Sequence, residues 1–267
     1  MIFTKGRKVS VRALGVAAMA TGLVVATLSA VPAQAEPQHR YTFPIMAGSK
    51  LDFAEGHCTV GAVLKKDSIF ARLTAYQRST RYLLTSGHCG DSGKSFSVGG
   101  QNVGRIVWDD AESDLQLIEV TPAVRTRVLC HSSSGHALVC TPTTLASPRA
   151  VGRIITGERS IPMVGYRDVR QGIVYCTSGA VTGTNCSWKP IPNPFPIVPH
   201  PGEAALESST GVPIDKGDSG GPVYSIDGQI LGIICRKGNV GDPTVAMTYI
   251  NMSEFFRRQP GYSIAPA

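Results

Sequence analysis

The residues with the most chemical promise lie in Gly217-Asp218-Ser219-Gly220-Gly221-Pro222, which sets one hydroxyl among glycines and an aspartate. A serine hydroxyl is a weak nucleophile until a base takes its proton and a site stabilises the negative charge that develops. Glycines on either side allow a tight bend and the approach of a carbonyl. The amides of Gly217 and Ser219 can then point together as an oxyanion hole, usually the largest electrostatic contribution to acyl transfer. Taken alone, a Gly-x-Ser-Gly stretch reads more readily as a turn between strands. The case rests on partners elsewhere in the chain.

Those partners are Thr85-Ser86-Gly87-His88-Cys89 and Ser113-Asp114-Leu115-Gln116-Leu117-Ile118, which put His, Asp and Ser in that order. The order separates one triad lineage from the hydrolase and subtilisin types. With these segments the chain resembles the chymotrypsin-like serine peptidases. The resemblance implies an all-β fold of two six-stranded Greek-key β-barrels, with the active site in the cleft between them and a short C-terminal helix. It also implies a serine endopeptidase in which Ser219 is the nucleophile, His88 the general base and acid, and Asp114 the residue that orients the imidazole. Gly217 and Ser219 form the oxyanion hole, and no metal or organic cofactor is required. Asp109 and Asp110 are rival carboxylates, but no alternating strand follows them, and they read as loop residues.

The elements that must position these groups are short. Cys58–Leu64 alternates weakly and reads as the first strand of the first barrel. Arg81–Thr85 reads as a strand that delivers His88 just past its end. Asn102–Val107 and the alternating Leu115, Leu117 and Val120 read as two more. Helical periodicity is nearly absent, whereas β-branched runs recur between Gly, Pro and Ser turns. Residues 56–121 are expected to form the first barrel, 122–151 a turn-rich connection, and 152–267 the second barrel and the helix. Ser253–Arg258 is the candidate for that helix, begun by a serine and ended by Pro260.

Residues 1–35 carry a targeting pattern. Lys5, Arg7, Lys8 and Arg12 form a basic head, an apolar run follows to Val31, and Ala33-Gln34-Ala35 fits a signal-peptidase site. Export, with or without retention at the cell wall, is the expectation. An uncleaved membrane anchor is the rival reading, and no later stretch is apolar enough to span a bilayer. The chain is formally +7, and four of those charges lie in the leader, leaving +3 on the remainder. That is too little to indicate nucleic-acid binding. The partner expected is a protein or peptide substrate, and the mature protein is expected to act as a monomer.

Residues 36–55 are polar and aperiodic. They contain no Ile-Val-Gly-Gly-like terminus whose amine could pair with Asp218, so Asp218 is expected to pair internally, with an arginine as one candidate. Gly90-Asp91-Ser92-Gly93-Lys94-Ser95 ends like a phosphate-binding loop, but the position of its first glycine is His88, and it reads as a surface turn.

Seven cysteines bound the covalent framework. Cys176 to Cys186 resembles the Cys-x-Ser-Gly-x-x-Thr-Gly-x-x-Cys segment of streptogrisin and α-lytic-type bacterial peptidases, which implies a Cys176–Cys186 bridge. The same resemblance implies Cys58–Cys89. Cys130 and Cys140, with His131 and His136 between them, lack zinc-type spacing, and an exported protein favours a disulfide there. Cys235 is then left over, in Ile233–Gly238, where relatives tend to show Ser-x-Gly. The proline-rich stretch Lys189–Gly202 also departs from the family pattern. For specificity, trypsin-like relatives place a carboxylate six residues before the nucleophile. That position here is Pro213, and Asp215 and Cys235 complete the candidate pocket. A non-catalytic secreted binding protein on the same fold and a secreted esterase are the competing readings.

Overall fold

This computed structural model describes residues 38–91, 93–132, 138–195, 198–238 and 245–267. The leader, Ser92, His136 and Pro196 therefore lie outside the described residues. The chain divides into units of residues 1–35 and 36–267, and every described residue belongs to the second. No helix among the described residues is long and apolar enough to cross a membrane.

The fold is all-β, in two halves. In the second half six strands close into a ring: Tyr175–Gly179, Gly183–Ile191, Glu203–Ser208, Val245–Asn251, Gln229–Lys237 and Pro222–Tyr224. The first half is an eight-stranded sheet that stays open, its hydrogen-bonded order running Tyr262–Ile264, Ala62–Lys66, Arg81–Ser86, Leu115–Val120, Gln101–Asp110, Ser95–Val98, Lys50–Phe53 and Gly56–Thr59. Two closed barrels were expected; among the described residues only the second closes. The last strand, Tyr262–Ile264, pairs with Ala62–Lys66, so the C-terminal segment returns to the first half.

The central strands are buried on both faces, and this explains their near-continuous apolar sequence. Along Arg81–Ser86, Leu83 points into the first-half core with Leu51, Val63, Phe96 and Ile118. Its neighbours Tyr82 and Leu84 point the other way, into a core shared with Ile154, Ile233, Ile250 and Phe255 of the second half and its helix. Successive strand residues face opposite sides, so one strand serves two cores. Leu115 and Leu117 join the shared core, while Ile118 and Val120 join the first-half core. Each fully buried side chain of this kind contributes roughly 1.5–3 kcal/mol.

Several local expectations change. Residues 36–55 contain two strands, Ile45–Ala47 and Lys50–Phe53, with Ile45 and Leu51 fully buried. Strands this short carry too few inward positions to show a period. Cys58–Leu64 breaks at Val60–Gly61, where a Cβ on Gly61 would collide with the Gly220 carbonyl and with Ile233. Asp109 and Asp110 end the strand Gln101–Asp110 rather than lying in a loop. The turn-rich connection is a long hairpin, Ala123–Ser132 with Leu138–Ser147, in which Cys130 stands directly opposite Cys140. Both of its faces are largely exposed, so burial imposes no alternation on its sequence. The helix runs Met252–Arg258 from an N-cap at Asn251 rather than starting at Ser253.

Candidate active site

His88 lies on the short turn Gly87–Cys89 that ends the strand Arg81–Ser86. The turn is held from three sides. Its Gly87 amide donates to the Asp114 carbonyl at 2.9 Å, and a Cβ at Gly87 would press on the Asp114 backbone at 3.1–3.2 Å. Buried Gln116 donates to the carbonyls of Gly87 and Gly90. The Cys58–Cys89 disulfide ties the turn to the strand Gly56–Thr59. Asp114 is the one non-glycine residue with positive φ among the described residues, at 50°, a conformation aspartate tolerates better than most.

Asp114 and His88 meet closely. The His88 amide donates to Asp114 Oδ1 at 2.8 Å, and His88 Nδ1 lies 3.0 Å from Oδ1 and 2.9 Å from Oδ2. The carboxylate can only accept from Nδ1, which leaves Nε2 of the neutral ring with its lone pair. Burial opposes ionisation of Asp114. The hydrogen bond and charge of His88, the thiol of Cys235 and the His88 amide outweigh it, so the carboxyl sits below the usual carboxylate range. The His88 side chain stays 48 % exposed and Asp114 only 9 %.

The segment carrying Ser219 is laced to the first half by Thr59, next to the disulfide cysteine Cys58. The Thr59 amide donates to the Ser219 carbonyl at 2.9 Å, and its hydroxyl donates to the Gly217 carbonyl at 2.7 Å. Gly220, with φ +84°, is pressed so close to Thr85 Oγ1 and the Thr59 carbonyl that any Cβ would collide with both, and it would reach 3.1 Å from Ser86 N. Ser219 is thereby held beside the strand end that delivers His88, and is itself half-buried.

Asp218 is fully buried, and its carboxylate meets four donors among the described residues. Its Oδ1 accepts from the amides of Val181 at 2.8 Å and Thr182 at 3.1 Å. Its Oδ2 accepts from the Thr182 hydroxyl at 2.7 Å and the Asp215 amide at 2.8 Å. Three backbone amides and one hydroxyl thus share the two carboxylate oxygens. Gly179 must lack a side chain to admit it, since a Cβ there would collide with Oδ1. On either side of this anchor, the amides of Gly217 and Ser219 donate to nothing among the described residues.

The three bridges Cys58–Cys89, Cys130–Cys140 and Cys176–Cys186 are present, and Cys235 is a buried free thiol. Of the residues assigned to a specificity pocket, Pro213 is half-buried. Asp215 is exposed, with Lys237 Nζ 3.2 Å from its Oδ1. Cys235 turns back to donate to Asp114 Oδ2 at 3.1 Å. Sequence reasoning missed that contact, and it missed His200, which comes close to both. Asp114, His200 and Cys235 are the only three metal-ligating side chains that converge among the described residues, their donor atoms within 4.8 Å of one another. Burial, then the neighbouring Asp114 charge, pushes the Cys235 thiol far above the ordinary thiol range. We therefore expect Cys235 to resist alkylation at pH 8 in the native protein and to react at once in denaturant, read by intact mass. Fast native labelling would contradict its burial.

Solved structures with this architecture include Thermobifida fusca Protease A, Nocardiopsis protease and Cellulomonas bogoriensis chymotrypsin. The first is 15 % identical with a TM-score of 0.58, covering 84 % of this chain and 99 % of its own. The second is 16 % identical with a TM-score of 0.57, covering 83 % and 98 %. The third is 13 % identical with a TM-score of 0.54, covering 84 % and 99 %. At such identities they attest the fold. No curated protein sequence matches. The family model for the trypsin-like peptidase domain matches residues 74–233, more than half of the chain and the part that carries His88, Asp114 and Ser219. The chain belongs to the trypsin-like peptidase domain family and is a chymotrypsin-like hydrolase.

Proposed function

We propose that this hydrolase is an exported serine endopeptidase that cleaves peptide bonds through an acyl-enzyme on Ser219. Ser219 Oγ attacks the scissile carbonyl while His88 Nε2 takes its proton. The oxyanion is held by the amides of Gly217 and Ser219, and His88 then protonates the leaving amine. Water repeats the sequence on the ester, returning the free hydroxyl. Asp114 keeps the Nδ1 proton in place and stabilises the imidazolium. The observation that carries this reading is the His88–Asp114 pair, set beside a nucleophile segment in which the amides of Gly217 and Ser219 have no acceptor among the described residues. Three disulfides suit an oxidising compartment outside the cytosol.

A serine-reactive phosphonate tests the reading directly. We expect one adduct, mapped to Ser219, with labelling lost in His88→Ala. Labelling elsewhere, or none in a folded protein, would refute it. Turnover of matched amide and ester substrates separates a peptidase from an esterase.

The same site bears on the residue before the cut bond. Pro213 offers no charge, and Asp215 is exposed and engaged by Lys237. A cationic side chain entering a buried pocket without an acidic partner costs several kcal/mol. Small or medium apolar residues are therefore expected at that substrate position. A fluorogenic library varying it alone decides the matter, and a tenfold preference for Arg over Ala and Leu would count against this assignment.

A further inference from the structure

Two departures from the family pattern, the proline-rich stretch before the strand Glu203–Ser208 and the cysteine in Ile233–Gly238, bring His200 and Cys235 beside Asp114. We infer that Asp114, His200 and Cys235 form a binding site for a soft divalent cation of the zinc type, and that filling it switches the peptidase off. The inhibitory half of this inference rests on the triad reading above; the binding half does not.

A thiolate, an imidazole and a carboxylate make a donor set that suits Zn²⁺. In a tetrahedral zinc site, bonds of about 2.0–2.3 Å put ligand atoms roughly 3.3–3.6 Å apart. Here Cys235 Sγ and Asp114 Oδ2 are 3.1 Å apart and all three donors lie within 4.8 Å. Side-chain shifts of about 1 Å close the set.

The histidine is held in place. Its amide donates to Glu203 Oε2 at 2.7 Å, and the Glu203 amide returns a bond to the His200 carbonyl at 3.0 Å. Asn251 clamps the next turn, its amide and side chain donating to the Gly202 carbonyl at 2.9 and 2.7 Å. His200 Nδ1 lies 2.8 Å from the Glu112 carbonyl, which can only accept, so the neutral ring keeps its lone pair on Nε2. A ring whose other nitrogen is committed to a carbonyl is the usual state of a metal-binding histidine.

The charges balance. Metal binding breaks the Cys235 S–H bond, forms a metal–sulfur bond and releases the proton to solvent. Two anionic ligands then neutralise the dication, so no uncompensated charge is buried. Asp114 cannot serve the metal and His88 equally. The imidazole loses its ionic partner, a defect that in this mechanism lowers kcat by about 10⁴ when the aspartate is made neutral.

The test uses purified protein, Zn²⁺ in a metal buffer, and Co²⁺ as the spectroscopic probe. We expect saturable inhibition that a chelator reverses, and one equivalent of Co²⁺ with a thiolate charge-transfer band. Cys235→Ser keeps a donor to Asp114 and should lose the band. His200→Gln should keep the metal-free activity and weaken zinc inhibition by roughly a hundredfold or more. Absence of the band, or zinc inhibition unchanged in both variants, would overturn the site. An inactive protein that shows the band would instead overturn the triad reading and leave the site standing.

Discussion

Ser219→Ala and His88→Ala should each lower peptide hydrolysis by roughly 10⁴–10⁶, and the double variant should be little worse than either. The non-additivity is the informative part. A serine without its base and a base without its serine are equally idle, and what survives is the oxyanion hole and binding. Asp114→Asn should reduce kcat by about 10⁴ with the fold intact. In this structure the carboxylate accepts from both the ring and the amide of His88, and an amide side chain cannot accept with both of its terminal atoms. Steady-state kinetics on one peptide substrate, with circular dichroism to confirm folding, settles all four variants. Near-normal turnover by Ser219→Ala would end the assignment.

Asp218→Asn is the second large effect, and it arises away from the triad. The carboxylate accepts four bonds, from the amides of Val181, Thr182 and Asp215 and the hydroxyl of Thr182. Asparagine turns one acceptor into a donor, so whichever way the amide is flipped it faces two donors. A buried donor left without an acceptor costs about 1–3 kcal/mol, and the segment from Gly217 to Ser219 relaxes away from its anchor. Loss of one oxyanion donor lowers kcat by about 10²–10³, and we expect at least that from Asp218→Asn, together with a lower midpoint in urea. The signature is a fall in kcat with KM little changed, because the lost contact matters in the transition state. A variant with native kcat would show that Asp218 does not position the amides.

Much of this was legible in the sequence because chemistry and backbone demands coincide there in short runs. Gly220 follows Ser219 and must be glycine to pass Thr85 and Thr59. His88 follows a strand and sits beside a disulfide cysteine. Such residues announce themselves by type, and the meeting of His88 with Asp114 could be anticipated from motif order. The all-β class followed similarly from short β-branched runs between turns.

What the tertiary structure alone decided involves groups without a type signature. The four donors that meet Asp218 are mostly backbone amides, which every residue but proline carries, so they leave no mark in the sequence. Thr59 pins the segment that carries Ser219 across a separation of 158 residues, yet it reads in sequence as an ordinary strand threonine. Cys235 could be identified as unpaired by subtraction, but its turn toward Asp114 depends on which face of Gln229–Lys237 meets the first half. His200 carries no signal of its own within the proline-rich stretch; the bonds made by Glu203 and Asn251 fix its turn beside Asp114. Residue type and local spacing determine which groups can react, because reactivity is intrinsic to the side chain. Which groups hold them in place depends on long-range packing of chemically common atoms, and only the folded chain specifies that.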